Sequence, residues 1–114
     1  MVFIAGAASL RTPVSVTITD SGHSSYCYAI INGTKQYEAG THEVNAGDTI
    51  TFGVYGSNKE GSVTIDGTEV LRVTGMTIQT YDWTVPSGIS TIEITMGYTF
   101  SPIAGRGTIT VTTA

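Results

Sequence analysis

Apolar and polar residues alternate along most of the chain in short runs, which is the pattern of half-buried β-strands. In the first run Val14, Val16 and Ile18 alternate with serine and threonine residues. Ile50 and Phe52 begin a similar and clearer run further along the chain. The remaining runs cover 26–31, 35–38, 41–44, 63–70, 76–85, 92–96 and 106–113. Because no segment shows the period of an amphipathic helix, the pattern predicts an all-β protein.

Turn-forming residues separate these runs. Asn32-Gly33 and Asp66-Gly67 are dipeptides that tolerate positive φ, so each predicts a tight hairpin turn. Asn45-Ala46-Gly47-Asp48 predicts the turn that leads into the central strand from Asp48 to Tyr55. Pro86 is expected to end a ladder because proline has no backbone N–H to donate.

The spacing of the runs predicts the architecture of the domain. Eight or so strands, 8–12 residues apart and joined by turns, are typical of a sandwich rather than a barrel. A chain of 114 residues can bury one core of ordinary size. We therefore expect residues 13–114 to form a single antiparallel β-sandwich of about 7–9 short strands, preceded by an extended apolar arm at 1–12.

The arm contains Val2, Phe3, Ile4 and Leu10, which we expect to occupy a hydrophobic groove on the domain or on a neighbouring subunit. A secretory signal peptide is the alternative, but the segment is short and has no basic residues at its start. No stretch of the sequence reaches the 18 to 20 apolar residues that a membrane helix needs, so a membrane is not an expected partner.

Charge is sparse and evenly scattered. Charged residues make up 12% of the chain, and the net charge of -4 comes from isolated acidic residues. Nucleic acid is therefore not expected as a partner, because phosphate contacts need clustered lysine and arginine. A surface composed mainly of Thr, Ser, Gly, Asn and Tyr suits contact with proteins or glycans.

Candidates for catalysis and metal binding are few. Cys27 cannot form an internal disulfide because the chain has no second cysteine, and we interpret it as a small buried strand residue. His23 and His42 are the only histidines, and neither has the spacing of a catalytic pair or a zinc site. Asp20, Asp66 and Asp82 could serve a calcium site, but we interpret each as a turn residue whose carboxylate bonds to the backbone. The sequence predicts no catalytic residue, no metal and no cofactor.

Three segments carry a resemblance to a known family: Val44 to Phe52, Tyr81 to Pro86 and Gly107 to Val111. Together they resemble bacterial and phage immunoglobulin-like domains, and the likeness extends over most of the chain from Val14 onward. The chain differs from antibody domains because it lacks their paired cysteines. It is similar to the small Thr- and Gly-rich immunoglobulin-like proteins that tailed bacteriophages encode among their structural genes. That resemblance implies an accessory role in the virion, either in capsid decoration or on the tail.

Aromatic side chains are the candidate contact residues. They are Tyr26, Tyr28, Tyr37, Tyr55, Tyr81, Trp83, Tyr98 and Phe100. Tyr81 and Trp83 share one face of a strand, and Tyr98 and Phe100 lie at a loop, so these four are the candidates for a protein or glycan contact. The alternative for Tyr81 and Trp83 is that they pack at the edge of the sandwich or under a loop.

These observations predict a non-enzymatic virion protein that docks onto other virion proteins and onto copies of itself. The alternative is a carbohydrate-binding or adhesin module on a bacterial or virion surface, in which aromatic rings stack on sugars. The expected location is the virion, with a bacterial cell surface or secretion as the alternative.

Overall fold

Ten β-strands and no helix form in the part of the chain that the computed structural model describes, which is residues 13–20, 26–56, 59–98 and 107–114. The strands are β1 (Pro13–Asp20), β2 (Cys27–Ile31), β3 (Thr34–Gln36), β4 (Gly40–Asn45), β5 (Thr49–Tyr55), β6 (Lys59–Ile65), β7 (Thr68–Gly75), β8 (Ile78–Thr84), β9 (Thr91–Tyr98) and β10 (Gly107–Thr113). The arm at 1–12, with Val2, Phe3, Ile4 and Leu10, lies outside the described residues.

The strands pair into two sheets. One has six strands in the order β4-β1-β9-β10-β6-β7, and the other has four in the order β3-β2-β5-β8. The predicted all-β sandwich is therefore confirmed, with ten described strands in place of about 7–9. Most pairings are antiparallel, as expected, but β1 pairs with β9 and β10 with β6 in parallel.

The core lies between the sheets and consists of the apolar residues of each alternating run. Phe52 is fully buried at its centre, and Cys27 is buried as predicted. The aliphatic side chains around them are Val14, Val16, Ile18, Ala29, Ile31, Val44, Ile50, Val54, Val63, Val73, Val85, Ile92, Ile94, Met96, Ile109 and Val111. Burying one such side chain stabilises the fold by about 1.5–3 kcal/mol, so the alternation in the sequence fixes which face of each strand points inward.

Both predicted hairpin turns are present. Asn32 and Gly33 have φ of 54° and 81°, and Asp66 and Gly67 have φ of 49° and 81°. Two successive residues with positive φ are the signature of the type I′ turn, whose twist matches that of antiparallel strands. The first turn joins β2 to β3 and the second joins β6 to β7.

The turn Asn45–Asp48 carries the chain from the six-stranded sheet to the four-stranded sheet. The N–H of Asn45 donates to the Asp48 carboxylate at 3.0 Å, and Gly47 adopts φ of 94°. Gly47 donates its N–H to the carbonyl of Val85, while the Val85 N–H donates to the carbonyl of Asp48, both at 2.8 Å. This turn therefore fixes the start of β5 against the end of β8.

Candidate functional site

The outward faces of the two sheets differ in chemistry. On the six-stranded sheet the outward positions are mainly threonines with a few charged residues, among them Thr17, Thr95 and Thr110. On the four-stranded sheet they include a group of tyrosines and exposed apolar residues. We call this group the tyrosine face, and its members are Tyr26, Tyr28, Tyr37, Tyr55, Met76 and Ile78.

Alternation within β2 and β5 explains why these tyrosines point outward. Cys27 and Ala29 face the core, so Tyr28 between them faces the other way. Val54 is buried, and Tyr55 next to it is on the outward side. Since β2 and β5 are neighbours in the sheet, the tyrosines of the two strands come together on one surface.

Gly53 has no side chain, and this allows the Tyr28 ring to lie across the sheet. The two residues are opposite each other in the β2–β5 pair, and a Cβ atom at Gly53 would be 2.1 Å from Cζ of Tyr28. The Tyr28 ring also contacts Tyr37, with 5.6 Å between ring centroids, and the Lys35 ammonium lies 4.6 Å from its centroid. These contacts, including a cation–π interaction with Lys35, hold the ring in place on the surface.

At the other end of the tyrosine face, Tyr26 and Tyr55 stack with their centroids 5.8 Å apart and their planes at 7°. The Tyr55 hydroxyl donates to the sulfur of Met76 at 3.5 Å. Met76 is 70% exposed and Ile78 is 55% exposed, the two largest values for large hydrophobic side chains in the described part of the chain. Aromatic and thioether groups are thus presented to solvent by side chains that already contact one another.

Lys35 and Asp82 are charged residues next to this surface. Lys35 is on β3. The prediction that Asp82 lies in a turn is wrong, because the residue pairs with Thr51 inside β8, where its carboxylate accepts a hydrogen bond of 2.8 Å from the Thr51 hydroxyl. Apart from the Lys35 ammonium over the Tyr28 ring, the side chains of the tyrosine face are aromatic or apolar, with phenol hydroxyls as polar groups. Protein interfaces have this composition, with tyrosine and methionine enriched and lysine and glutamate depleted.

Of the four aromatic residues singled out from the sequence, Tyr81 and Trp83 are on the core side of β8. Trp83 lies opposite Ile50, and its ring is 6.3 Å from that of Phe52. Both side chains are half-buried and pack against the core. This is the packed arrangement considered as the alternative above. Tyr98 ends β9, and its side chain lies outside the described residues, as does Phe100.

Cys27 lies between the two sheets and is hydrogen-bonded to the backbone. Its sulfur accepts from the N–H of Gly97 at 3.1 Å, and its thiol donates to the carbonyl of Thr108 at 3.8 Å. Burial raises the pKa of the thiol to about 11, with the Gly97 hydrogen bond acting in the opposite direction. At neutral pH the thiol is therefore protonated and a poor nucleophile.

Metal-binding groups are not brought together within the described residues, where no cluster of three His, Cys, Asp or Glu side chains occurs. Asp66 instead accepts hydrogen bonds from the N–H and hydroxyl of Thr113, at 3.2 and 2.9 Å. Its role is to attach the end of β10 to the β6–β7 turn. Across the same described ranges, no helix is long and apolar enough to cross a membrane.

Sequence reasoning recognised the tyrosines as a class but did not group Tyr26, Tyr28, Tyr37 and Tyr55. The sequence does indicate that Tyr28 and Tyr55 face outward, because both stand at the polar positions of an alternating run. What was missing was the pairing of β2 with β5, which brings the two residues onto one surface.

No protein-family model matches the chain, and no similar protein was found among curated proteins or solved structures.

Proposed function

We propose that this protein is a non-enzymatic docking domain that binds another protein through the tyrosine face. The observation that supports the proposal is the contrast between the two outward faces. The six-stranded sheet presents mainly threonine, whereas the four-stranded sheet presents tyrosines together with Met76 and Ile78, which are 70% and 55% exposed. Tyrosine and methionine in mutual contact give a large binding area with little loss of side-chain entropy.

We place this docking in a phage virion, as the immunoglobulin-like resemblance of the sequence implies. In that setting the partner is another virion protein of the capsid or tail, and the arm containing Val2, Phe3, Ile4 and Leu10 adds a second contact. The weakly charged surface suits permanent assembly onto a protein lattice, where charged groups at the centre of an interface are unfavourable.

Contacts among the tyrosine rings favour a protein partner over a glycan. The Tyr28 ring contacts Tyr37 and Lys35, and Tyr26 stacks on Tyr55, so these rings contact one another before any ligand arrives. Trp83, the side chain best suited to sugar stacking, lies on the core side of β8. Carbohydrate binding remains the second candidate function and is tested on a glycan array with the same Tyr28→Ser variant.

The test compares binding of the purified protein to heads and tails prepared without it. Tyr28→Ser removes the ring that covers Gly53, and Gly53→Ala displaces the same ring because its Cβ would clash with Cζ of Tyr28. We expect both variants to bind at least roughly tenfold more weakly, the usual effect of losing a central interface tyrosine. Thr95→Ala, on the outward face of the other sheet, is the matched control and should bind like the parent protein.

Two results would contradict the proposal. The first is absence of the protein from purified virions in quantitative mass spectrometry. The second is unchanged binding by both Tyr28→Ser and Gly53→Ala. A glycan-array signal that disappears in Tyr28→Ser would instead favour the carbohydrate-binding function on the same surface.

A further inference from the structure

β8 is an edge strand whose outer backbone groups have no strand to pair with among the described residues. It is the last strand of the four-stranded sheet and bonds to β5 alone. The hydrogen bonds Gly56 N–H to Thr77 carbonyl and Val85 N–H to Asp48 carbonyl, of 3.0 and 2.8 Å, lie in the register of the β5–β8 ladder. These two bonds therefore determine which residues of β8 direct their backbone N–H and C=O groups toward β5.

Hydrogen-bonded and non-hydrogen-bonded residues alternate along an antiparallel pair. Between Thr77 and Val85, the residues that bond to β5 are Gln79, Tyr81 and Trp83. The N–H and C=O groups of the other four residues point away from the sheet. These four are Ile78, Thr80, Asp82 and Thr84, and all of their side chains are exposed.

The other edge strands carry features that discourage pairing, and β8 carries few. β3 has three residues, and on β4 the carbonyl of Glu43 already accepts a hydrogen bond of 2.9 Å from the Asn32 side chain. β7 has Arg72 in ion pairs with Glu60 and Glu69 and a register shift in its pairing with β6. By contrast, β8 has seven residues, no proline, no register shift and one charged side chain, Asp82. Short length, charge, proline and bulges are the usual means of blocking an edge.

We propose that two copies of this protein pair through β8 in an antiparallel, two-fold arrangement centred on Tyr81. This register pairs all seven residues of each strand, with Ile78 opposite Thr84 and Thr80 opposite Asp82 of the second copy. Each of these pairs exchanges two backbone hydrogen bonds. The two four-stranded sheets then form one continuous sheet, and the two tyrosine faces lie on the same side of it.

Charge favours a second copy in this register. With the axis at Tyr81, the Asp82 carboxylate lies opposite a neutral threonine and not opposite its own equivalent. Within one chain the same carboxylate already accepts a hydrogen bond from Thr51 on β5, at 2.8 Å. In the dimer, the Thr80 hydroxyl of the second copy lies beside this carboxylate from the other side of β8. No like charges lie directly opposite each other.

The dimer is tested on the purified protein by sedimentation velocity over a wide range of concentrations. A contact formed by one strand edge is small, so we expect a dissociation constant on the order of 10–100 μM. Thr80→Asp places two carboxylates side by side at each Thr80–Asp82 pair and should weaken the dimer at least roughly tenfold. Thr95→Asp, with the same charge change on the six-stranded sheet, should leave the dissociation constant unchanged.

Thr80→Lys tests the register. In the arrangement centred on Tyr81, each lysine lies opposite Asp82 of the other copy, so dimerisation should be retained or strengthened. In a register centred on Thr80, two lysines would face each other and dimerisation would weaken. Circular dichroism and the fluorescence of Trp83 check that each variant is folded.

A protein that remains monomeric at millimolar concentration would overturn the proposal, as would equal effects of Thr80→Asp and Thr95→Asp. Loss of the dimer in Thr80→Lys would overturn the register. Because these measurements use the isolated protein, they are separate from the docking test, which depends on Tyr28 and Gly53.

Discussion

At the scale of single residues, Gly53 determines the form of the tyrosine face. It occupies an outward position on β5 and is nevertheless buried, because the Tyr28 ring covers it. An alanine there would clash with the far end of a flexible side chain and not with the backbone. Gly53→Ala therefore moves the ring while leaving the core intact, which makes it a better test of docking than a substitution in the core.

Cys27 gives a prediction about pH dependence. Its pKa is raised from 9.0 to about 11, so between these values the folded protein retains a proton that the unfolded chain loses. The unfolded state binds fewer protons in this window, and stability must therefore fall as pH rises from 9 toward 11. The full loss for this one group is about 2–3 kcal/mol.

The measurement is urea unfolding at pH 8 and pH 10.5, followed by Trp83 fluorescence, for the parent protein and Cys27→Ala. Tyrosine and lysine residues also titrate in this range, and the variant corrects for them because it lacks only the thiol. We expect the stability of the parent to fall more steeply than that of Cys27→Ala. Equal slopes would show that the thiol is not held protonated by burial.

At the scale of elements, the β6–β7 hairpin is fixed at its turn and at the end of β10. Asp66 has φ of 49°, and its carboxylate accepts from both the N–H and the hydroxyl of Thr113. The Asp66 N–H in turn donates to the carbonyl of Val111 at 3.1 Å. One residue thus combines a turn conformation with a connection between strands that are far apart in the sequence.

We expect Asp66→Ala to reduce the free energy of unfolding by about 1–2 kcal/mol, because it removes the acceptor and places alanine at positive φ. Asp66→Asn should cost less, since asparagine tolerates this conformation and keeps one acceptor oxygen. Thr113→Val, which removes the hydroxyl alone, is the control for the side-chain bond. Urea denaturation distinguishes the three variants, and equal losses for Asp66→Ala and Asp66→Asn would contradict this account.

At the scale of the whole molecule, strands from opposite ends of the chain lie beside each other. β1 pairs in parallel with β9, and β10 pairs in parallel with β6. Neither pair can be closed by a hairpin, so much of the intervening chain must be ordered before the ladder forms. The entropy lost in closing such large loops slows folding.

We therefore expect refolding in milliseconds to seconds, the range of β-sandwich proteins. Trp83 is the single tryptophan, and its half-buried ring lies 6.3 Å from that of Phe52, so its fluorescence reports formation of the core. Stopped-flow dilution from urea measures the rate. Complete refolding in microseconds would show that the distant pairings do not limit the reaction.

Local signals in the sequence were sufficient for most of the strands and for the tight turns. The alternation of Val14, Val16 and Ile18 marks a buried face, and Asn32-Gly33 marks a type I′ turn. In both cases the physical cause acts within a few residues, through the two-residue repeat of a strand or the steric tolerance of positive φ. Nothing distant is needed to predict them.

The sequence by itself thus determined most of the strands, most core positions and the hairpin turns of this protein, although β6 and β7 extend beyond the predicted run 63–70 to Lys59 and Gly75. Only the tertiary structure decided which face of β8 is inward, because Ile78 and Trp83 offer apolar side chains on opposite faces. The pairing of Trp83 with Ile50 on β5 settles the choice. The tyrosine face likewise exists only when β2 lies beside β5, since contact between distant segments depends on sheet pairing, and alternation within one strand cannot specify a neighbour.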